Sequence, residues 1–316
     1  VTEAVAPLTP EQRKAAWLED RKTCITGTEL SMILGLNRYA GPMHVYLDKK
    51  GLAEPLVETS PMRWGKRLER EILKGYADDL QRPIQFADSY QLIRCPGFPL
   101  LGATLDARWL DGDCRPVDAK NRRQKTPDWG EAGTDQIPRH YQIQLIAQMM
   151  VTGTQIADLA ALFGGNELVP YTILLDPEYP EIVKEKVSKW WEFHIVQDNP
   201  PEIDGSDAST EYLKAKFARG VEMTKPATDQ VRAWVEARKA ADAEIKEAER
   251  RKTEAENRLK DYLGEATAIS GLITWRNNKD SAKTDWEKLA LTYHPTKGMI
   301  EQFTTTKPGP RVLRFS

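Results

Sequence analysis

Apolar positions in the first 80 residues recur mainly at helical spacing. Residues 9–20, TPEQRKAAWLED, predict a short helix with Thr9 as its cap, Pro10 at the first position and Trp17 and Leu18 near its end. Arg21 follows at once. In CITGTELSMILG an extended turn enters a helix near Thr26 or Thr28, with Leu30, Ile33 and Leu34 facing inward. The free N–H groups of such a helix start suit a phosphate. Residues 61–79 predict a stronger helix, because Trp64, Leu68, Ile72 and Tyr76 recur at steps of four. Glu69 lies beside that stripe, either as an ordinary edge carboxylate or as an acid facing a site.

From Phe86 to Lys120 the period shortens. QFADSYQLIR, LLGATLDARWL and RPVDAK read as short strands of a small curved sheet, punctuated by Pro, Gly and Asp. A helix fits 139–152, followed by the apolar run 156–163 and a strand at 171–175. This order of helix, strands, helix and strand favours an α/β or α+β core. A helix near 179–196 carries Ile182, Val183, Val187, Trp190, Trp191 and Phe193 and is placed to cover one face. The longest helical stretch, 228–263, is dominated in its middle by Ala, Glu, Lys and Arg, and its apolar positions do not sustain a regular heptad. It reads as a solvated helix or half of a helical hairpin. The last 50 residues, including AISGLITWRN and the terminal RVLRFS, read as short strands around a helix near 284–292. The division expected is a core over 1–216 and a C-terminal arm over 217–316.

Composition narrows the chemistry. Among 316 residues, 45 Lys and Arg stand against 47 Asp and Glu, so a uniformly basic nucleic-acid binder is excluded and any such partner must be met locally. Cys24, Cys95 and Cys114 form no CxxC pair and no disulfide framework. The histidines at 44, 140, 194 and 294 are scattered, so carboxylates would have to hold any metal. No apolar run is long enough to span a bilayer, and the start lacks the basic and apolar regions of a signal peptide. A cytoplasmic protein without a membrane partner is expected.

The informative stretch is LLGATLDARWLDGDCRPVDAK. At period two, Asp118 and Lys120 face one side of their strand, and a hairpin around WLDGDCRP would bring Asp106 to Asp118. Two carboxylates with a nearby backbone carbonyl can bind a divalent ion, and a lysine ammonium can stabilise charge on a phosphoryl oxygen. That is the chemistry of phosphodiester hydrolysis, although a lone D and DxK also arise on ordinary surface hairpins. Around them Arg115, Lys120, Arg122, Arg123 and Lys125 place five cations in eleven residues, suited to drawing in a polyanion.

Six segments in order, AAWLEDRKTCITGTELSMILG, MRWGKRLEREIL, GATLDARW, PVDAKNR, HYQIQLIAQMMVTG and FGGNELVPYTI, resemble the phage-type recombination exonucleases. That group contains bacteriophage lambda exonuclease and the YqaJ-like viral recombinases, within the PD-(D/E)XK nuclease superfamily. The resemblance runs over about residues 12–175. It implies a restriction-endonuclease-like α/β core of α+β character, with a central mixed sheet flanked by helices, a C-terminal helical arm and a small terminal module. Asp106 and Asp118 are then the metal carboxylates, assisted by Glu69 and the Ala119 backbone carbonyl, and Lys120 is the catalytic lysine. Gln144 belongs to the glutamine-bearing helix that closes the site. Gln142 and Tyr141 border the DNA with Arg115, Arg122, Arg123 and Lys125, while Arg21, Thr26 and Thr28 hold a terminal 5′-phosphate.

The resemblance further implies Mg²⁺, with Mn²⁺ as substitute and two ions per site. The reaction would be 5′→3′ digestion of one strand of linear duplex DNA, releasing mononucleotides and leaving 3′ overhangs for recombination by single-strand annealing. A homotrimeric ring, a single-strand annealing partner and a phage or prophage origin in a bacterial host belong to the same expectation. Three positions depart from the pattern: Asp118 stands where many members carry glutamate, Leu105 where proline often precedes the first aspartate, and Thr28 where serine is common. Rival readings are a structure-selective endonuclease with the same centre and a non-catalytic protein that binds DNA ends.

Overall fold

The computed structural model describes residues 8–53, 58–88, 90–220, 222–277 and 285–305. It divides into two units, Val1–Phe217 and Ala218–Ser316. In the first, α1 (Pro10–Arg21) leads through β1 (Ile25–Thr26) into α2 (Gly27–Ile33) and α3 (Pro42–Lys49), and α4 spans Ser60–Leu80. Strands β2 (Ile84–Phe86), β3 (Ile93–Cys95), β4 (Phe98–Ala103), β5 (Ala107–Trp109) and β6 (Pro116–Arg122) follow. Then come α5 (Arg139–Thr152), β7 (Ile156–Phe163), β8 (Glu167–Leu174), α6 (Tyr179–Trp190), a π-helical turn at Trp191–Val196 and α7 (Asp207–Lys216).

The helix starts behave as their sequences dictate. Thr9 caps α1 by accepting the Gln12 N–H, and Gln12 reaches back to the Thr9 N–H at 2.8 Å. Helix α4 buries Ile72, Leu73, Tyr76 and Ala77, with Leu68 half-buried. Trp64 departs from the expected stripe and is 51% exposed, because the apolar face meets the sheet only from Leu68 onward.

The strands expected in one small sheet are divided between two. Five of them order as β2-β5-β6-β7-β8, and β1-β4-β3 form a separate sheet. The chain passes from one sheet to the other through Thr104–Asp106, so Asp106 sits in a bend ahead of β5 rather than inside a strand. Trp17 fixes this crossing by donating its indole N–H to the Thr104 hydroxyl at 3.1 Å. In the larger sheet β6 and β7 run parallel while the other neighbours are antiparallel, which makes it mixed. Strand β7 needs two apolar faces, and its sequence IADLAALF supplies them. Ala157, Leu159, Ala161 and Phe163 pack with α5, whereas Ala160 and Leu162 pack with α4. Alternation on β6 sends Val117 and Ala119 toward α4, leaving Asp118 and Lys120 for the other face. Helix α7 follows a Pro- and Gly-punctuated acidic stretch and was not legible in the pattern.

The second unit consists of α8 (Asp229–Leu263), β9 (Ala268–Ile269), β10 (Ile273–Thr274), α9 (Trp286–Leu291) and α10 (Lys297–Gln302). Helix α8 is capped by Thr228 and buries only Leu263. Its surface is laced by pairs such as Arg250 with Glu247 at 2.8 Å and Arg250 with Glu254 at 3.3 Å. The terminal RVLRFS lies outside the described residues. No helix among the described residues is long and apolar enough to cross a membrane.

A buried polar knot ties β5, β7 and β8 together. Asp158, 1% exposed, accepts from Trp109 Nε1 at 2.7 Å, Arg115 Nε at 2.8 Å and Thr172 Oγ1 at 2.9 Å. Replacing it by alanine strands three donors, so Asp158→Ala should cost about 3–5 kcal/mol in urea-induced unfolding. A cost below about 1 kcal/mol would show that the knot contributes little.

Candidate active site

The β5–β6 pairing assembles the centre. Ala107 stands opposite Val117, so the next pair outward is Asp106 and Asp118. Asp106 is fixed by the Ala119 backbone N–H, which donates to Oδ2 at 3.0 Å. Asp118 is fully buried. Lys120, two residues on, pairs with its Oδ2, and Gln144 and Gln148 both donate to Oδ1 at 2.9 and 3.0 Å. The two glutamines lie one turn apart on α5, which therefore closes over β6. Lys120 also lies over the Tyr141 ring, 5.1 Å from its centroid.

The electrostatics are those of crowded acids. Burial, then the charge of Asp118, pushes Asp106 well above the ordinary carboxylate range. Glu69, approaching from α4, is raised by the same two causes in the same order. Burial works against the Lys120 ammonium, but Asp118 and Asp106 outweigh it and its pKa rises.

Side chains on both sides of this cluster answer whether a divalent cation fits. Among the described residues, no three acidic, histidine or cysteine groups stand spaced to hold an ion in this arrangement. The donor chemistry nevertheless suits a hard cation: buried Asp118 and half-buried Asp106 and Glu69 act on one another electrostatically, and the Lys120 ammonium pairs with Asp118. Asp106, Asp118 and Glu69 would hold it. Ala119, the other ligand expected, lies opposite Ala160 in the β6–β7 register, and its N–H is the group that positions Asp106.

The residues expected at a 5′-phosphate gather around the start of α2. Glu29 accepts the Thr26 N–H at 2.8 Å and takes the Lys49 ammonium on both oxygens at 2.7 Å. Arg21 stands farther from Glu29, at 3.7 Å, with its guanidinium 4.6 Å from the Trp17 ring centroid. Lys49 thus carries the neutralisation of Glu29, and Arg21 keeps donors for another anion. The Thr26 hydroxyl is buried without a hydrogen-bond partner, whereas Thr28 is exposed. Close packing joins this corner to the carboxylates: a Cβ on Gly27 would stand 3.1 Å from the Gln144 carbonyl and 3.2 Å from Ala147 Cβ.

The cations of 115–125 do not act alike. Arg115 pairs with Asp158 at 2.8 Å and with Asp113 at 3.9 Å, which ties it into the fold. Arg122 donates to the Tyr141 hydroxyl at 3.3 Å, while Arg123 and Lys125 are exposed. Gln142 points its amide at the Asp135 carbonyl, 2.9 Å away, not at Asp118.

Three residues escaped the sequence reading. Arg38 donates to the Tyr39 hydroxyl at 2.6 Å, and Arg122 faces the same phenol. Burial raises the Tyr39 pKa, but the two guanidiniums outweigh it and hold the phenol below its ordinary value. A row of alternating cations and rings, Lys120, Tyr141, Arg122, Tyr39 and Arg38, thus leads away from Asp118. NRY at 37–39 carried no periodicity that would mark it. Gln148 was legible in principle, one helical turn after Gln144 on the same face.

Residues 16–155 match the family described as the YqaJ-like viral recombinase domain. The chain is also similar to the uncharacterized protein YqaJ of Bacillus subtilis (strain 168), at 25% identity over 311 residues, spanning 90% of this chain and 93% of that one. Among solved structures it is similar to an alkaline exonuclease, LHK-Exo, from Laribacter hongkongensis. That similarity has a TM-score of 0.45 and 16% identity over 65% of this chain and 98% of that one. A phage related exonuclease from Haemophilus somnus 129PT gives a TM-score of 0.42 and 11% identity over 56% of this chain and 96% of the other. All of the Asp106–Asp118–Lys120 centre, Glu69 and both glutamines lie inside the YqaJ-like domain.

Two outcomes follow from the geometry. Gly27→Ala should cost roughly 1–3 kcal/mol in chemical denaturation, since neither the Gln144 carbonyl nor Ala147 Cβ is a flexible end that can swing away. An unchanged unfolding midpoint would contradict that packing. The raised carboxyls set a pH dependence of known sign. In the unfolded chain Asp and Glu ionise near pH ~4, below their folded values, so the folded state holds extra protons and stability falls as pH rises from there. Asp106→Asn stays neutral throughout, and in EDTA its Tm advantage over the wild type should widen between pH ~4 and ~7. A constant difference would refute the raised carboxyl.

Proposed function

We propose that the YqaJ-like domain is a Mg²⁺-dependent exonuclease that digests one strand of linear duplex DNA in the 5′→3′ direction. The observation that carries this reading is the convergence of Asp106, Asp118 and Lys120 where β5 and β6 pair, beneath the glutamine-bearing helix. Such a donor set is built for phosphodiester hydrolysis, and the viral recombinase family gives it duplex DNA as the natural polyanion.

Each part of the chain has a task in this scheme. Asp106, Asp118 and Glu69 hold Mg²⁺, which when bound polarises the phosphodiester and makes water a stronger nucleophile. Lys120, paired with Asp118, presents Nζ to the charge that grows on the phosphoryl oxygen. Gln144 holds Asp118 in place through Oδ1. Arg21 and the unpartnered Thr26 hydroxyl receive the terminal 5′-phosphate, which fixes direction by binding only one kind of end. The row from Tyr141 to Arg38 supports the strand by alternating charge with stacking surface. Release of mononucleotides, a homotrimeric ring around the duplex and transfer of the 3′ overhang to a single-strand annealing protein complete the proposal.

The test uses Mg²⁺ with 5′-phosphorylated linear, 5′-hydroxyl linear and covalently closed circular duplexes. Digestion of linear DNA to mononucleotides, with the circle intact, is expected. Cutting of the circle would favour an endonuclease, and binding without any product would favour an end-binding protein. Asp118→Ala should lower kcat by about a thousandfold or more, because the metal's several kcal/mol of transition-state stabilisation are lost. Arg21→Ala should raise KM for 5′-phosphorylated ends about 10- to 100-fold and leave 5′-hydroxyl ends unaffected, the worth of a charge-assisted phosphate contact. Equal effects on both ends would remove Arg21 from the phosphate site.

A further inference from the structure

Gln148 is a polar side chain in a place where an apolar one would pack without difficulty. It lies on α5 between Ala147 and Met149, both fully buried, and is itself 1% exposed. Such a position in a protein interior costs stability unless every polar atom finds a partner. Only half of this amide is satisfied. Its Nε2 donates to Asp118 Oδ1 at 3.0 Å, while its Oε1 is buried without a partner. The orientation is fixed by chemistry, because the opposite one would set an amide oxygen against the carboxylate.

The two glutamines on Asp118 differ in what else they can do. Gln144 is partly exposed. Gln148 is closed off and can reach nothing outside the protein. Together they fill the lone pairs of Oδ1, and Lys120 holds Oδ2. A carboxylate held by one amide can still swing about its Cβ–Cγ bond; two donors on one oxygen and an ammonium on the other leave a single orientation.

From this we infer that Gln148 is a positioning residue for the proposed nuclease centre. It locks the Asp118 carboxylate from behind the sheet-facing side of α5, so that Asp118 offers a cation one fixed geometry, and its cost in stability is retained for that purpose. The inference rests on the proposed metal-bearing role of Asp118. A ligand that is already oriented does not lose its freedom when the ion binds, and outer partners of this kind are worth about 10- to 100-fold in metal affinity or activity.

The experiment compares wild type with Gln148→Met, which conserves volume and removes both the donor and the orphaned oxygen, and with Gln148→Leu as a second apolar replacement. Mg²⁺ binding by titration calorimetry is the first readout, since it does not depend on any DNA activity. Thermal unfolding without metal is the second, and kcat and KM on linear duplex are the third. Expected are a Tm equal to or above the wild type's, Mg²⁺ affinity weakened about 10- to 100-fold, and a fall in kcat with KM for DNA ends unchanged. Wild-type Mg²⁺ affinity in a folded variant overturns the inference, as does an absence of Mg²⁺ binding in the wild type. Loss of folding in both variants also overturns it, because the residue is then needed for the core itself. Should the wild type bind Mg²⁺ yet degrade no DNA, the nuclease reading fails while the calorimetric comparison still decides the role of Gln148.

Discussion

One buried charge organises the first unit, Val1–Phe217. Asp118 sits on the central strand of a mixed sheet with no access to water, and an isolated carboxylate there would be prohibitively costly. Its neighbours are therefore not free to vary independently. Lys120 must share its face of β6, α5 must cross where Gln144 and Gln148 reach it, and Gly27 must be small enough for α2 to rest on α5. The same charge raises the two other acids nearby. Packing, hydrogen bonding and protonation at this site are one constraint seen three ways.

The second acid knot shows what makes the first one different. Asp158 is buried as deeply, but Trp109, Arg115 and Thr172 saturate it with ordinary donors. Nothing around it is left over. At Asp118 the surroundings are over-supplied with negative charge and include an orphaned glutamine oxygen and an ammonium that can be displaced. Asp158 is finished by its own chain, whereas Asp118 keeps a polar surrounding that is not fully paired.

The corner at Arg21 and Thr26 is coupled to the carboxylates through backbone rather than through charge. Thr26 leads directly into α2, whose first residue, Gly27, touches the Gln144 carbonyl. The start of α2 and the Asp118 centre are thus set by elements that pack on each other.

Sequence alone determined the parts of this protein that depend on local periodicity and on adjacent residues. The helices of 9–20, 61–79 and 139–152, the alternation that puts Asp118 and Lys120 on one face, and the hairpin that brings Asp106 beside them all follow from side-chain period and turn residues. Resemblance to a family added the roles. Long-range partnership is what tertiary structure decided. Nothing in the run of 115–125 says that Arg115 will meet Asp158, which lies 43 residues further on. The split of the strands into two sheets at Thr104–Asp106 depends on Trp17, 87 residues away from Thr104. Gln148 stood in the open at helical spacing from Gln144, yet a glutamine among Ala and Met carries no local signal of what it faces. Its meaning lies in burial against Asp118, and burial is a property of the folded chain rather than of any segment.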